Sequence, residues 1–577
     1  MADRPSEQEV QLRTLWQRAW PAGLPRGSHY PHGERPLSEY LRAWARVQPD
    51  KPAVLFYGRA ISFAELDRLS DRFAAALAAQ GIGEGDRVAV MLPNCPQFHI
   101  AFFGILKRGA IYAPLSPLST PHEARHQLVD SQAAAIVVQD ALMPVLRAVR
   151  AETALRTVLV TGCADLLPPQ PTLPLPELLR APRLAVDDAI ELLPLLEATT
   201  APPPPVAATL DAPAALNYTG GTTGLPKGCI HTQGDMVYTA ASNYHVGGPG
   251  PDGVVLSFWP AFWIAGQNLG LVHPMLAGAT VVLLARWDAL AFMQAVQQHR
   301  ATFVAMPMDS AIEVMDHPRA AEFDLRSLRH CRAVSFVKKL DAGYRRRWRA
   351  LTGATLLSGP YGLTETQTND TFTAGMDRDD FDLQALPVFV GLPVDGTEIK
   401  VCDFDSGERV ALGREGEICL RSPSLTRGYW KQPAASAALL RDGWLHTGDI
   451  GLLDEQGYLH YLGRRREMLK VKGMSVFPSE IEAVLARHPA VLSCAVVGRS
   501  DAERGQVPVA FVILRPEARG SAGAEALAGW CRETMASYKR PQLRLVEAFP
   551  LTGTGKVRKD ELAAWAQRDD DATAAQP

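Results

Sequence analysis

Apolar and polar residues follow two alternating periods along the first half of the chain, one typical of helices and one of strands. Five apolar residues recur at helical spacing, namely Leu66, Leu69, Phe73, Ala76 and Leu77. Ser62 and Glu65 before them have the spacing of a capping box, and Gly81 can end the helix. A second helix is predicted for residues 96–106. Short apolar runs predict strands at residues 87–92, 111–114, 135–138 and 157–160. The alternation predicts an α/β fold with layers around a largely parallel sheet.

The middle of the chain combines a proline-rich stretch with further apolar runs. Residues 167–213 are expected to form an irregular surface connection. Strands are predicted at residues 254–258, 280–284 and 303–306. Residues 253–284 contain no Asp, Glu, Lys or Arg and are long enough to cross a bilayer. Proline, glycine and amide residues interrupt this stretch, and such breaks would leave backbone groups unpaired in lipid. We therefore expect buried core that lines a pocket, and no transmembrane segment.

The character of the sequence changes near residue 463. A charged run is followed by strands predicted at residues 491–497, 507–514 and near 543. Helices are predicted from about residue 478, at 524–536 and from about 559. The pattern predicts a large multi-layer α/β domain at residues 1–463 and a small α+β domain at residues 464–577.

Composition excludes several classes of protein. With 577 residues, the chain exceeds one ordinary hydrophobic core. A net charge of -3 gives no reason to expect a nucleic-acid partner. The eight cysteines form no Cys-x-x-Cys pair and no His/Cys metal-binding spacing. The N-terminus lacks an apolar signal core, so a cytoplasmic location is expected. The oligomeric state stays open, with a homodimer as one possibility.

A loop rich in glycine and threonine carries the clearest chemistry. Its donors are Thr219, Thr222, Thr223 and Lys227, and its glycines are Gly220, Gly221, Gly224 and Gly228. Glycine lets backbone N–H groups turn toward one point, where hydroxyls and a lysine add further donors. The loop is not a Walker A motif, because Gly228 and not Ser or Thr follows the lysine. A capping box at Thr232 and Asp235 predicts a helix start after it. The alternative to a polyphosphate site is a surface turn.

The string Tyr-Thr-Gly-Gly-Thr-Thr-Gly-Leu-Pro-Lys-Gly resembles the phosphate loop of the adenylate-forming superfamily, which includes the acyl-CoA synthetases. Other motifs match in family order across residues 37–565, among them Tyr361-Gly-Leu-Thr-Glu365-Thr, Asp442-Gly-Trp-Leu-His-Thr-Gly-Asp449 and Pro550-Leu-Thr-Gly-Thr-Gly-Lys556. Each motif alone could be an ordinary turn, but five in order are very unlikely by accident.

The resemblance implies roles for individual residues. Tyr361 would stack on adenine, Thr364 would bond a phosphate oxygen and Glu365 would hold a Mg²⁺ ion. Gly362 is also a predicted nucleotide-binding residue, and Glu365 and Thr219 are predicted catalytic residues. Asp449 and Arg464 would reach the ribose, and Lys556 would be the catalytic lysine. The implied substrates and cofactors are ATP, Mg²⁺, coenzyme A and a small carboxylic acid. The implied reaction forms an acyl-AMP and then an acyl-CoA. Arg466 would be the hinge of a mobile C-terminal domain, and Gly473 would leave room for pantetheine.

Three positions depart from the family pattern. Trp263 stands where the family often has histidine, residues 335–339 read Ser-Phe-Val-Lys-Lys, and Gln233 replaces another common histidine. Phe262, Trp263, Gly266, Ser335 and Phe336 are the predicted acyl-pocket residues. Because indole and phenyl rings fill space that a long chain needs, we predict a short or compact acid, branched or hydroxylated. A stacking aromatic acid and a medium- or long-chain acid are the alternatives.

Two other readings of the function stay open at this point. The enzyme could pass its acyl group to a carrier-protein pantetheine or to oxygen; no carrier domain is evident after residue 565. The chain could also be a nucleotide-binding protein without ligase activity, which the presence of Glu365, Asp449 and Lys556 argues against.

Overall fold

The computed structural model describes residues 7–219, 225–335, 338–385, 388–471, 474–501, 503–519, 523–552 and 556–568. Four β-sheets organise this part of the chain, three of them with seven strands and one with five. The first three sheets lie in the large N-terminal part and the fourth in the smaller C-terminal part. The predicted α/β class with a second, smaller domain is therefore confirmed.

The first seven-stranded sheet has the order β7-β6-β5-β3-β4-β8-β9. Its strands are β3 Arg87–Met91, β4 Ile111–Pro114, β5 Ala135–Gln139, β6 Thr157–Thr161, β7 Ile190–Glu191, β8 Pro213–Tyr218 and β9 Gly228–Thr232. All neighbours pair in parallel except β8 and β9, which form an antiparallel hairpin. The buried apolar runs of the sequence analysis correspond to β3–β6, as expected for strands covered on both faces.

The second seven-stranded sheet has the order β14-β13-β12-β10-β11-β1-β2. Its strands are β1 Pro52–Phe56, β2 Arg59–Ser62, β10 Val254–Ser257, β11 Thr280–Leu283, β12 Phe303–Pro307, β13 His330–Val334 and β14 Leu356–Ser358. Only β2 pairs in the antiparallel sense. One hydrophobic core spans the first and second sheets and the helices between them.

The third sheet is antiparallel, with the order β15-β16-β21-β20-β18-β17 and β19 beside β20. Its strands are β15 Thr371–Phe372, β16 Phe389–Pro393, β17 Glu398–Cys402, β18 Gly416–Arg421, β19 Leu440–Arg441, β20 Trp444–Leu453 and β21 Leu459–Arg464. After β21, a 3₁₀ turn at Arg465–Glu467 leads to the fourth sheet. The predicted domain boundary and hinge fall at this turn and stay predictions.

The fourth sheet has the order β23-β22-β25-β24, with β26 parallel to β25. Its strands are β22 Leu469–Val471, β23 Met474–Val476, β24 Val491–Asp501, β25 Gly505–Leu514 and β26 Gln542–Leu545. The C-terminal part has its own apolar clusters on the two faces of this sheet.

Helices cover the sheets. They are α1 Glu7–Ala19, α2 Leu37–Val47, α3 Phe63–Ala79, α4 Pro96–Lys107, α5 Pro121–Ser131, α6 Met143–Arg147, α7 Glu177–Arg180, α8 Leu192–Ala198, α9 Gln233–Asn243, α10 Ile264–Gln267, α11 His273–Ala277, α12 Ala289–His299, α13 Met308–Asp316, α14 Ala342–Thr352, α15 Phe381–Gln384, α16 Pro433–Leu439, α17 Pro478–Leu485, α18 Ala524–Thr534 and α19 Lys559–Ala566. A π-helical segment at Asn268–Val272 joins α10 to α11. Among the residues described, no helix has the length and apolar character needed to cross a bilayer.

Two local expectations need correction. The proline-rich stretch is not wholly irregular, because α7, β7 and α8 interrupt it with packed leucines. Ser62 accepts a hydrogen bond from the Glu65 backbone, but Glu65 pairs with Arg59 and does not complete the capping box.

Helix α1 lies against the third sheet, although no helix was predicted there. Its Trp16 Nε1 donates to the carbonyl of Gly457, between β20 and β21, at 3.0 Å.

Candidate active site

The glycine- and threonine-rich loop connects the two strands of the β8–β9 hairpin. Tyr218 and Gly228 are paired at the end of the hairpin. Just beyond them, the Thr219 backbone N–H donates to the Lys227 carbonyl at 2.9 Å, and the Lys227 N–H donates to Thr219 Oγ1 at 3.4 Å. Gly220, Gly221, Thr222, Thr223 and Gly224 lie outside the described residues, so their predicted phosphate contacts stay predictions. The hairpin explains why both ends of the loop are held together.

Lys227 and Glu365 are brought into one cluster by a tyrosine. Lys227 Nζ lies 5.0 Å from the centre of the Tyr429 ring, a cation–π arrangement. The Tyr429 hydroxyl donates to Glu365 Oε1 at 2.7 Å. Burial and the Glu365 charge raise the pKa of Tyr429, so its hydroxyl stays a donor. The structure thus places the predicted phosphate lysine near the predicted metal-binding carboxylate.

The strand after the loop also holds the motif that contains Glu365. His231 on β9 is fully buried, and its Nε2 donates to the Thr364 carbonyl at 2.7 Å. Thr232 and Asp235 form the predicted capping box at the start of α9. The Thr364 side chain is half-buried in a 3₁₀ turn of residues Thr364–Thr366. One strand therefore positions both the loop and the second motif.

An unusual backbone turn follows Glu365. Gln367, Thr368 and Asn369 all have left-handed φ angles, of 59°, 61° and 58°. Such a conformation costs a non-glycine residue roughly 1–2 kcal/mol, so the surroundings must enforce it. Gly362 permits the turn, since a Cβ there would lie 2.3 Å from the Asn369 nitrogen. Gly362 therefore lacks a side chain because the backbone of residues 368 and 369 lies directly against it.

Tyr361 and Asp449 are joined directly. The Tyr361 hydroxyl donates to Asp449 Oδ2 at 2.7 Å, and both side chains are buried. Arg464 Nε lies 2.9 Å from Asp449 Oδ1, but this oxygen has no aligned hydrogen-bond donor among the described residues. Burial raises the pKa of Asp449, while Arg464 and Tyr361 lower it. A buried carboxylate oxygen without a donor is suited to accept a hydroxyl of a ligand.

Lys556 of the C-terminal part lies within the electrostatic reach of this pair. Its side chain is exposed, yet the protein around it disfavours its charged form and lowers its pKa. Arg464 acts in the same direction, and Asp449 opposes it. The charges of the predicted ribose-binding pair therefore act on the predicted catalytic lysine. Gly473, which was predicted to border pantetheine, lies outside the described residues.

Three of the predicted acyl-pocket residues, Phe262, Trp263 and Gly266, lie at or just before α10, and Ser335 follows β13. Trp263 and Phe262 are half-buried, and the Trp263 ring packs 6.2 Å from Trp259 and 6.3 Å from Phe262 between ring centres. Gly266 is required by close packing, because a Cβ there would lie 2.0 Å from the Pro260 carbonyl oxygen. Ser335 Oγ accepts from the Leu340 backbone at 3.2 Å. Phe336 lies outside the described residues, so its role in the pocket stays a prediction.

A buried group of amide side chains was missed by the sequence analysis. Asn217 Nδ2 donates to Gln267 Oε1 at 2.8 Å, and Asn268 Nδ2 donates to Thr368 Oγ1 at 2.9 Å and to the Gln367 carbonyl. Asn243 Nδ2 donates to the Asn369 carbonyl at 3.1 Å. These amides join β8, α9, the α10–π segment and the left-handed turn. They hold that turn in place next to Glu365. A sequence signal existed in Gln267-Asn268 inside an otherwise apolar stretch.

Several polar atoms of this amide group have no hydrogen-bond partner within the described part of the chain. They are Asn217 Oδ1, Thr239 Oγ1, Asn243 Oδ1, Gln267 Nε2, Asn268 Oδ1 and both side-chain polar atoms of Gln367. An unpaired buried polar atom costs about 1–3 kcal/mol, and native proteins usually satisfy it with protein, water or ligand. The amide group therefore offers polar contacts to a small molecule.

Gln233, which replaces a common family histidine, lies away from the predicted site, whereas two residues of the site were not predicted. Gln233 is buried, and its Oε1 accepts from Ser38 N at 3.2 Å, so it ties α9 to α2 instead of reaching the site. Tyr429 and His231 were not predicted as site residues, because single Tyr and His residues carry no spacing signal.

The residues fit a magnesium ion at Glu365. Mg²⁺ is usually held by one or two carboxylates, water and substrate phosphates. Glu365 is half-buried, has one oxygen engaged by Tyr429 and faces the Lys227 side of the loop. The cation of Lys227, the hydroxyl of Tyr429 and the carboxylate of Glu365 thus form one cluster. Such a set can bind a nucleoside triphosphate and stabilise negative charge that develops on its phosphates.

Comparisons with known proteins agree with this geometry. Residues 41–430 match the family model of the AMP-binding enzymes, and residues 480–556 match the model of the AMP-binding enzyme C-terminal domain. The chain is 30% identical to a long-chain-fatty-acid–CoA ligase of Bacillus subtilis strain 168, over 96% of this chain and 98% of the relative. It is 32% identical to 4-coumarate–CoA ligase 2 of Oryza sativa subsp. japonica, over 92% of each chain.

A solved structure gives the same result at the level of the fold. The crystal structure of an anthranilate CoA ligase in complex with anthranoyl-AMP superposes with a TM-score of 0.79 and 27% identity, over 92% of this chain and 97% of that chain. The family models cover both the large and the small part of the chain in the expected order. The protein therefore belongs to the AMP-binding enzymes, as an AMP-forming acyl-CoA synthetase of the adenylate-forming superfamily.

Proposed function

We propose that this enzyme uses Mg²⁺ and ATP to convert a compact carboxylic acid into an acyl-AMP, and then transfers the acyl group to coenzyme A. In the first step, a carboxylate oxygen attacks the α-phosphorus of ATP and the bond to pyrophosphate breaks. In the second step, the CoA thiol loses its proton, its sulfur attacks the acyl carbon and AMP leaves. The observation that carries the proposal is the joining of Tyr361, Asp449 and Arg464, whose last two charges act on Lys556 of the C-terminal part.

Charge repulsion is the main obstacle to the first step, because a carboxylate must approach a phosphate. Lys227 beside Tyr429 and Lys556 in the C-terminal part would bring positive charge to the phosphates. Mg²⁺ at Glu365 would neutralise further phosphate charge. Asp449 Oδ1 would accept from a ribose hydroxyl and so fix the nucleotide. Fixed donors and charges of this kind act without reorganisation during the reaction.

The acid is proposed to be short or compact and to carry a hydrogen-bonding group. Trp263 and its aromatic neighbours occupy space beside α10. Asn268 immediately follows α10, its Nδ2 donates to the carbonyl of Gln367, and several atoms of the amide group are buried without a partner among the described residues. A long alkyl chain would leave such atoms unpaired, at about 1–3 kcal/mol each. A hydroxylated or amino-substituted acid would satisfy some of them.

An aromatic acid is the second candidate, and Trp263 is the observation that favours it. Its half-buried indole offers a face for stacking. Similar proteins include a 4-coumarate–CoA ligase and a benzoate CoA ligase, whereas others are long-chain-fatty-acid–CoA ligases. A compact substituted benzoate would use both the indole and the amides.

The test measures pyrophosphate release with and without CoA for a panel of free acids. The panel contains linear acids of two to sixteen carbons, their 2-hydroxy and branched analogues, and substituted benzoates. We expect the highest kcat/KM with a compact acid that bears a polar group, and thioester only when CoA is present. Best activity at ten or more carbons would overturn the proposed acid class. Pyrophosphate release without thioester formation for every acid would overturn the proposed CoA transfer.

A further inference from the structure

The third sheet brings together four side chains that are known metal ligands. Cys402 lies on β17, Glu417 and Cys419 on β18, and His446 on β20. In the antiparallel register, Cys402 is opposite Glu417, and Cys419 is opposite His446. Opposite residues and residues two apart point to the same face of a sheet. All four therefore share one face, although 44 positions of sequence separate the first from the last.

The ligand atoms of this cluster are close enough to share one ion. His446 Nδ1 lies 2.8 Å from Glu417 Oε2 and 3.5 Å from Cys419 Sγ. The three atoms lie within 4.8 Å of one another. The Cys402 thiol packs in the same apolar cluster as Cys419 but is not one of these three atoms. Ligands about 2.0–2.3 Å from a tetrahedral zinc ion are separated by similar distances.

The cluster is buried but not sealed. The Cys419 thiol is fully buried, whereas the side chains of Glu417 and His446 are each 11% exposed. Trp444, which packs with Cys419, also lines a surface cavity of about 360 Å³. The imidazole and the carboxylate are therefore the parts of the cluster nearest to solvent.

We propose that Glu417, Cys419 and His446 form a binding site for a thiophilic divalent cation of the Zn²⁺ class, with water in the fourth position. Sulfur, imidazole and carboxylate are the ligands that zinc takes in proteins, whereas Mg²⁺ prefers oxygen ligands alone. On binding, the Cys419 S–H bond is replaced by an S–metal bond, and the proton passes to solvent. This inference does not depend on which acid the enzyme activates.

The cation site is connected to the nucleotide site through one backbone bond. The second oxygen of Glu417, Oε1, accepts from the Gly448 N–H at 3.0 Å. Gly448 immediately precedes Asp449, which carries the proposed ribose contact. A cation on Glu417 Oε2 would therefore hold the segment before Asp449 more firmly.

The test uses the full-length enzyme, reduced and stripped of metal with a chelator, then incubated with Zn²⁺ and desalted. We expect about one zinc per chain for the wild type and less than one-tenth of that for the Cys402→Ser, Cys419→Ser double variant. The matched control is Cys331→Ser, Cys494→Ser, which removes two buried thiols elsewhere and should retain the zinc. A His446→Gln variant should bind zinc at least tenfold more weakly in equilibrium dialysis.

Cobalt provides a readout of the ligands themselves. Co²⁺ bound to the wild type should show a sulfur-to-metal charge-transfer band that is absent in the Cys402→Ser, Cys419→Ser variant. Circular dichroism of each variant shows whether it is folded. The inference is overturned if the folded wild type retains no more zinc than the cysteine double variant, or if bound Co²⁺ shows no sulfur band.

Discussion

The hydrogen bond between Tyr361 and Asp449 permits a quantitative test of the nucleotide site. Tyr361→Phe removes one hydroxyl and leaves the ring, including its packing 5.9 Å from Tyr461 between ring centres. The lost bond is short, at 2.7 Å, buried and directed to a carboxylate. Bonds to charged groups contribute about 1.5–3 kcal/mol. If Asp449 binds the ribose only when ionised and held in place, kcat/KM for ATP should fall roughly 10- to 150-fold.

The pH dependence gives the same test a second readout. Burial raises the pKa of Asp449, and the Tyr361 bond opposes that effect. Without the bond the pKa rises further, so the protonated, inactive form persists to higher pH. The acid limb of the profile of kcat/KM for ATP should therefore move to higher pH in Tyr361→Phe.

The assay is pyrophosphate release at saturating acid and varied ATP, from pH 5.5 to 9. Tyr238→Phe is the matched control, because it removes another buried tyrosine hydroxyl. That hydroxyl donates to the carbonyl of Asp395, just after β16, at 2.6 Å. The control should lose stability without moving the acid limb. The reasoning fails if Tyr361→Phe keeps kcat/KM for ATP within twofold and leaves the acid limb in place. It fails equally if the control shows the same kinetic loss.

Four further predictions concern other residues. Lys556→Ala should lose acyl-AMP formation but still convert pre-made acyl-AMP and CoA into thioester; equal loss of both half-reactions would contradict the assignment. Arg466→Pro, which fixes φ at the predicted hinge, should impair one half-reaction and spare the other, and a variant with both intact would refute the hinge. Trp263→Ala should shift the chain-length preference toward larger acids, and an unchanged preference would remove Trp263 from the pocket. Burial raises the pKa of Asp370 from 3.8 to about 7, so between these values the folded state keeps a proton that the unfolded state loses. The free energy of unfolding therefore falls as pH rises through that window, by on the order of 4 kcal/mol. Asp370→Asn should abolish this pH dependence, which urea unfolding at pH 4.5 and pH 8 would measure.

Local spacing was enough to predict much of the framework. Strands β3–β6 and helices α3 and α4 followed from apolar periods, and the Thr232 capping box followed from two residues three apart. These features depend on backbone hydrogen bonds and on neighbours within a turn or a strand, which sequence displays directly. The resemblance of the motifs then led to the family, which the comparisons confirmed.

Contacts between distant segments could not be read in the same way. Tyr361 and Asp449 are 88 residues apart, and Tyr429 and Glu365 are 64 apart. Neither pair has a spacing signal, because the register of the third sheet and its packing against β9 create the contacts. The position of Lys556 likewise depends on how the small domain lies against the large one.

Sequence by itself therefore determined the α/β class and the positions of the family motifs. Tertiary structure alone decided which polar groups are buried together, as in the Asn217–Gln267 pair and the Cys419–His446 pair. The physical reason is that the periodicity of a sequence indicates which face of its helix or strand a side chain occupies. The low-dielectric environment and the hydrogen-bond partners on that face come from other segments of the chain.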